Sequence, residues 1–108
     1  MDAAAVERLA GAGSEVELPA GQVIVEPGQQ GLGLFVIRSG TVQIDAHWGV
    51  RELGAGAVFG GRALRDPHGE RTARVHAKTD VRLVAVDRAT VERLCADDPT
   101  VAGCYELD

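Results

Sequence analysis

Short runs of alternating apolar and polar residues extend from Glu15 to Val86, and glycine-containing turns separate them at short intervals. Between Val42 and Ala46, for example, every second residue is apolar, which is the period of a strand with one buried face. No helix-length segment falls between these runs. About eight strands joined in this way predict a mainly β fold, in the form of an antiparallel sandwich, roll or small barrel.

Helix signals lie outside this β region. Residues 3–10 have Val6 and Leu9 on one face of a short helix, and glycines follow them. Asp87 is a suitable N-cap for a second helix at 88–96. A chain of 108 residues is long enough to bury one core without disulfides or metal, so residues 1–108 predict a single domain with a short C-terminal tail.

Charge and composition exclude several classes of function. The net charge of −5 argues against direct binding to nucleic acid. No apolar run approaches a membrane span, and the N-terminus lacks the basic residues of an export signal, so we expect a cytoplasmic protein. The two cysteines and three histidines do not have metal-ligand spacing. We therefore predict no metal site. Because no nucleophile has an evident neighbouring base, we also predict no catalytic residues and no enzymatic activity.

The stretch 58–75 contains several basic residues although the chain as a whole is acidic. Its residue types suit an anion site. Gly60 and Gly61 let the backbone approach a ligand closely, and residues 62–65 have the propensity for one helical turn whose free N–H groups favour phosphate. A loop then returns the chain to Arg71, whose guanidinium can hold two phosphate oxygens. Taken alone, the pattern also arises by chance in soluble proteins.

Most of the chain, from about Leu18 to Leu94, resembles the cyclic-nucleotide-binding domain of catabolite activator proteins, cyclic-nucleotide-dependent kinases and gated channels. The resemblance implies an antiparallel β-roll of the jelly-roll-like, double-stranded β-helix type at 15–86, with short flanking helices. The segments that carry the resemblance are 19–24, the turn at Gly28, 34–42, Phe59-Gly60, Ala63-Leu64, Arg71-Thr72-Ala73 and 78–83.

The same resemblance identifies 58–75 as the phosphate-binding cassette of the family, with cyclic AMP or cyclic GMP as candidate ligands. Arg71 matches the arginine that pairs with the cyclic phosphate, and Thr72 stands where a threonine is associated with a preference for guanine. The backbone at 60–64 matches the short helix that contacts phosphate and ribose. The binding residues implied in this way are Gly60, Gly61, Arg62, Ala63, Leu64, Arg71, Thr72 and Ala73.

Two departures from the family pattern predict altered binding. Gly61 stands where the family has a glutamate that holds the ribose 2′-hydroxyl. A hydrogen bond to a charged group is worth roughly 1.5–3 kcal/mol, so its loss predicts an affinity about tenfold to 150-fold lower. The family also covers the base with a residue from a following helix, and here the sequence ends at Asp108. We therefore expect the output domain or partner protein to lie outside this chain, and an oligomer is compatible with the sequence.

Three functions follow as hypotheses. The first, which we adopt, is a regulatory domain that senses a cyclic nucleotide with weakened or altered affinity. The second is a degenerate member of the fold that serves as a protein-interaction or oligomerisation module, which Gly61 favours. The third is an enzyme of the cupin type, a compact β-roll that needs a closely spaced histidine pair on a metal, and the sequence contains no such pair.

Overall fold

The computed structural model of the protein describes residues 3–26, 33–47, 49–60 and 73–101. Within these ranges the chain forms eight strands and two helices, and the short helical stretch 99–101 follows the second helix. The helices are α1 (Ala3–Gly11) and α2 (Arg88–Asp97). The strands are β1 (Ser14–Leu18), β2 (Val23–Val25), β3 (Gly33–Ser39), β4 (Val42–Ala46), β5 (Gly49–Leu53), β6 (Val58–Phe59), β7 (Arg74–Ala77) and β8 (Val81–Asp87).

The strands form two four-stranded antiparallel sheets. The first sheet has the order β1-β8-β3-β6 and the second has the order β2-β7-β4-β5. Inward side chains of both sheets meet in one apolar cluster, which we call the inner core: Val25, Ile37, Val42, Ile44, Phe59, Val75, Ala77, Val81 and Leu83. The predicted mainly β, antiparallel roll with short flanking helices is therefore confirmed.

Strand β3 is covered on both of its faces. Leu34 and Val36 point away from the second sheet and are completely buried, whereas Ile37 points into the inner core. A strand between two apolar layers needs no polar positions, which explains why its sequence is nearly continuously hydrophobic.

Both helices pack on the outer face of the first sheet. Leu9 of α1 and Val91 of α2 are buried against the outward side chains of β3 and β8. Asp87 is the N-cap of α2, as the sequence predicts, and its carboxylate accepts a hydrogen bond from the Thr90 backbone N–H at 2.7 Å. Neither helix is long or apolar enough to cross a bilayer within the part of the chain described.

Strand β6 is the element that the sequence analysis did not predict. It contains two residues, Val58 and Phe59, which is too short for a periodic pattern to show. Its pairing with β3 joins Phe35 to Phe59 and Val36 to Val58. This strand matters for function because it leads directly into the predicted ligand segment.

Candidate functional site

The described residues include the two ends of the predicted ligand segment. Gly60 follows β6, and Ala73 precedes β7. The other predicted binding residues, Gly61, Arg62, Ala63, Leu64, Arg71 and Thr72, lie outside the described residues. The geometry of the candidate site is therefore the geometry of these two ends and of the strands that hold them.

The Gly60 end is fixed by aromatic packing. Phe59 is 1% exposed, and its ring stacks on that of Phe35 with a centroid separation of 5.1 Å and an interplanar angle of 19°. An aromatic pair of this kind contributes about 0.5–1.5 kcal/mol beyond the apolar area that it buries. Gly60 itself has φ +92°, a left-handed conformation that glycine adopts without steric cost. The chain thus leaves the first sheet through a tightly packed strand and a residue suited to a change of direction.

Backbone hydrogen bonds extend the contact between β3 and the approach to β6. The Ile37 N–H donates to the Ala57 carbonyl at 2.9 Å, and the Gly56 N–H donates to the Ile37 carbonyl at 2.8 Å. Because both groups of Ile37 are engaged, the turn before β6 is tied to a central strand of the first sheet. This attachment compensates for the shortness of β6.

The Ala73 end belongs to the second sheet. Ala73 packs against the inner core, and the following strand, β7, lies between β2 and β4. Val75 pairs with Val25 on one side and with Ile44 on the other. The segment 61–72 therefore connects an edge strand of one sheet to an interior strand of the other, and its two ends approach the same apolar core.

A partly exposed ion pair lies next to the Ala73 end. Arg74 donates from Nε to both oxygens of the Glu26 carboxylate, at 3.2 and 3.0 Å, and its Nη2 lies 3.0 Å from Oε2. Arg74 is one of the basic residues near the centre of the sequence, and this contact commits its guanidinium to Glu26. Sequence reasoning missed the pair because the two residues are 48 positions apart and only the β2–β7 pairing brings them together.

Among the described residues, two surface grooves are lined by neither Gly60 nor Ala73. One has a volume of about 340 Å³ and is lined by Glu17, Leu18, Pro19, Ser39, Asp80, Val81 and Arg82. The other, of about 440 Å³, is lined by Glu7, Ala10, Gly11, Glu15, Arg38, Arg82 and Val84. Their cations are engaged by carboxylates: Arg38 contacts Glu7 at 2.8 Å, a hydrogen bond that raises the pKa of Arg38. Charge of both signs makes these grooves poor anion sites.

No group of three or more metal-ligating side chains occurs in the described ranges. In the same part of the chain, His76 lies 3.6 Å from the Asp45 carboxylate, and Gln43 donates to that carboxylate at 2.9 Å. These residues lie on the outer face of the second sheet, so they form a polar surface network rather than a pocket.

Comparison with known proteins gives a consistent result. Residues 15–98 match the family model described as the cyclic nucleotide-binding domain. A cyclic nucleotide-gated potassium channel of Mesorhizobium japonicum is 40% identical over 89 residues, which cover 82% of this chain. The chain spans 24% of the length of that channel.

Solved structures agree with the sequence matches. A protein from a cyclic-GMP-dependent signalling pathway that regulates bacterial phytopathogenesis is 28% identical with a TM-score of 0.83, and the match covers 95% of this chain and 85% of that one. The catabolite activator protein of Thermus thermophilus is 30% identical with a TM-score of 0.77, and the match covers 95% of this chain and 51% of that one.

Proposed function

Because the chain belongs to the cyclic nucleotide-binding domain family, we propose that it is a non-catalytic regulatory domain that binds cyclic AMP or cyclic GMP through residues 60–73. Arg71 pairs with the cyclic phosphate, and backbone N–H groups at 60–64 supply further donors. Thr72 and Ala73 complete the wall of the site next to β7.

One structural observation carries the proposal. The two ends of the segment 61–72 come from different sheets, and both reach the inner core: Phe59 belongs to it, and Ala73 packs against it. Anchored ends restrict the conformations open to the segment between them, which lowers the entropy cost of ordering it on binding.

Gly61 sets the expected affinity. Without the glutamate, the ribose 2′-hydroxyl loses an acceptor. We therefore propose that the affinity for the cyclic nucleotide is about tenfold to 150-fold lower than it would be with that hydrogen bond. Arg62, next to Gly61, adds a positive charge that either contacts the anion or remains in solvent.

Cyclic GMP is a candidate alongside cyclic AMP for two reasons. Thr72 occupies the position that the family resemblance associates with guanine, and a hydroxyl can exchange hydrogen bonds with that base. The solved structure from a cyclic-GMP-dependent signalling pathway is similar over 95% of the chain.

The output of the domain is proposed to lie outside residues 1–108. The chain spans 24% of the cyclic nucleotide-gated channel that it resembles and 51% of the catabolite activator protein. We propose that an output domain or a partner protein responds to the ligand, and that the domain acts in the cytoplasm.

Isothermal titration with cyclic AMP and cyclic GMP, up to millimolar concentration, tests the proposal. We expect saturable binding by the wild-type protein and an affinity about tenfold to 150-fold lower for Arg71→Ala, which loses a charge-assisted contact. Arg93→Ala is the matched control because Arg93 is exposed on α2, which packs on the outer face of the first sheet, and we expect its affinity to equal that of the wild type. Absence of binding by a folded wild-type protein would overturn the proposal.

A degenerate, ligand-free interaction or oligomerisation module is the second candidate, and Gly61 is the observation that favours it. In that case Arg71→Ala would leave the association with a partner, or with further copies of the chain, unchanged. The same variant therefore separates the two functions.

A further inference from the structure

We propose that the Glu26–Arg74 ion pair is a positioning clamp that holds the ligand segment in its binding conformation, an inference that rests on the proposed function. Glu26 is the last described residue before 27–32, and Arg74 follows the segment 61–72 with only Ala73 between them. The pair therefore joins the residue just before 27–32 to a residue close after 61–72.

The geometry makes this clamp more specific than an ordinary surface pair. The Arg74 guanidinium uses two of its nitrogens, Nε and Nη2, at 3.0–3.2 Å from the carboxylate of Glu26. A contact through two nitrogens fixes the relative orientation of the groups as well as their distance. Because β2 and β7 are neighbouring antiparallel strands, the pair fixes the spacing between the end of β2 and the start of β7.

Global stability does not require this pair. The Arg74 and Glu26 side chains are 54% and 38% exposed, and exposed ion pairs contribute little to the free energy of unfolding. The strands beneath them are held by the buried Val25 and Val75. The effect of the pair is therefore local: it limits fraying of the residues next to Arg71 and Thr72. Arg74 and Glu26 are positioning residues, because they act on the ligand through Arg71.

The chain contains a matched control on the same sheet. Lys78, which directly follows the last residue of β7, forms an ion pair with Glu52 of β5, and these side chains are 50% and 47% exposed. Both pairs link β7 to an edge strand of the second sheet. They differ in that the Lys78–Glu52 pair lies at the opposite end of β7 from Ala73.

The test compares neutralising variants of the two pairs by titration with cyclic AMP and cyclic GMP. We expect Glu26→Gln and Arg74→Gln each to lower affinity about threefold to fivefold, chiefly through faster dissociation. We expect the double variant to be no worse than either single variant, and the exchanged pair Glu26→Arg with Arg74→Glu to recover affinity. Glu52→Gln and Lys78→Gln should bind like the wild type. The melting temperature should change little for all four single variants.

Other outcomes would overturn the clamp. Equal affinity of the wild type, Glu26→Gln and Arg74→Gln, or losses that add in the double variant, would show that the pair does not act as a unit at the site. Equal losses from the Lys78–Glu52 variants would show a general effect of surface charge. If Arg71→Ala weakens binding while Glu26→Gln and Arg74→Gln bind like the wild type, only the clamp fails; if the wild type binds neither nucleotide, the proposed function fails and the clamp with it.

Discussion

The carboxylate of Asp80 accepts a hydrogen bond from the backbone N–H of Ala20, 2.9 Å away, across 60 residues of chain. The neighbouring hydroxyl of Thr79 accepts a hydrogen bond from the Thr41 N–H at 3.0 Å. These contacts tie together the turns that precede β2, β4 and β8. Short polar side chains thus organise one end of the roll by satisfying backbone donors that no strand pairs.

The first prediction concerns that carboxylate. We expect Asp80→Ala to lower the free energy of unfolding by about 1 kcal/mol, since the Ala20 N–H loses its protein acceptor. Asp80→Asn keeps an acceptor of the same length and should lose less. Urea unfolding of the two variants measures the difference, and equal losses would contradict a role for the hydrogen bond.

Gly40 supports the second prediction because the chain approaches it closely. A Cβ atom at this position would lie 2.2 Å from the Asp80 carbonyl oxygen, and its φ is +85°. We expect Gly40→Ala to destabilise the protein by more than the roughly 1–2 kcal/mol of a left-handed residue alone. Gly54→Ala, where a Cβ would meet no atom within 4 Å, is the control. Similar unfolding midpoints for the two variants would contradict this prediction.

Local signals in the sequence predicted local structure well. The N-cap at Asp87 needs only a side chain and a backbone N–H three residues apart, so the sequence reveals it directly. The buried faces of β4 and β7 follow from their alternation in the same way. Contacts such as Asp80 with Ala20, or Glu26 with Arg74, depend on pairing between distant strands, and no local pattern encodes them.

The candidate site shows the same division. The residues of the ligand segment were predicted from their types and from a family resemblance, and they stay a prediction. Its anchors were not: β6 is too short to be recognised from alternation, and the Phe35–Phe59 stack depends on the β3–β6 register. Gly60 and Ala73 occupy the ends of the segment in the structure, whereas the roles of Arg71 and Thr72 remain predictions.

The third prediction uses pH. The pKa of Asp87 is lowered, mainly because its carboxylate accepts hydrogen bonds from Thr90. A lowered folded-state pKa stabilises the protein fully above the ordinary carboxyl pKa of about 4, and this stabilisation is lost as the pH falls through the folded-state value. We therefore expect the melting temperature of the wild type to fall relative to that of Asp87→Asn between about pH 6 and about pH 3. Asparagine caps a helix without titrating, so a constant difference would contradict the prediction.

The fourth prediction restores the missing carboxylate. We expect Gly61→Glu to raise affinity for the bound cyclic nucleotide by about tenfold to 150-fold, the value of one hydrogen bond to a charged group. Gly61→Gln has the same length without the charge and should gain less. Titration calorimetry compares the three proteins, and unchanged affinity in Gly61→Glu would show that this position does not face the ribose.

The most direct test is a ¹H–¹⁵N NMR titration of the wild-type protein with cyclic AMP and, separately, cyclic GMP. We predict saturable shifts of the Gly60 and Ala73 amide resonances at the ends of the ligand segment, with much smaller shifts at Ala20 and Thr41 at the tied turns. Arg71→Ala should shift the titration to higher ligand concentration. Unchanged Gly60 and Ala73 resonances at millimolar ligand, or saturable shifts confined to another surface, would contradict binding at this segment.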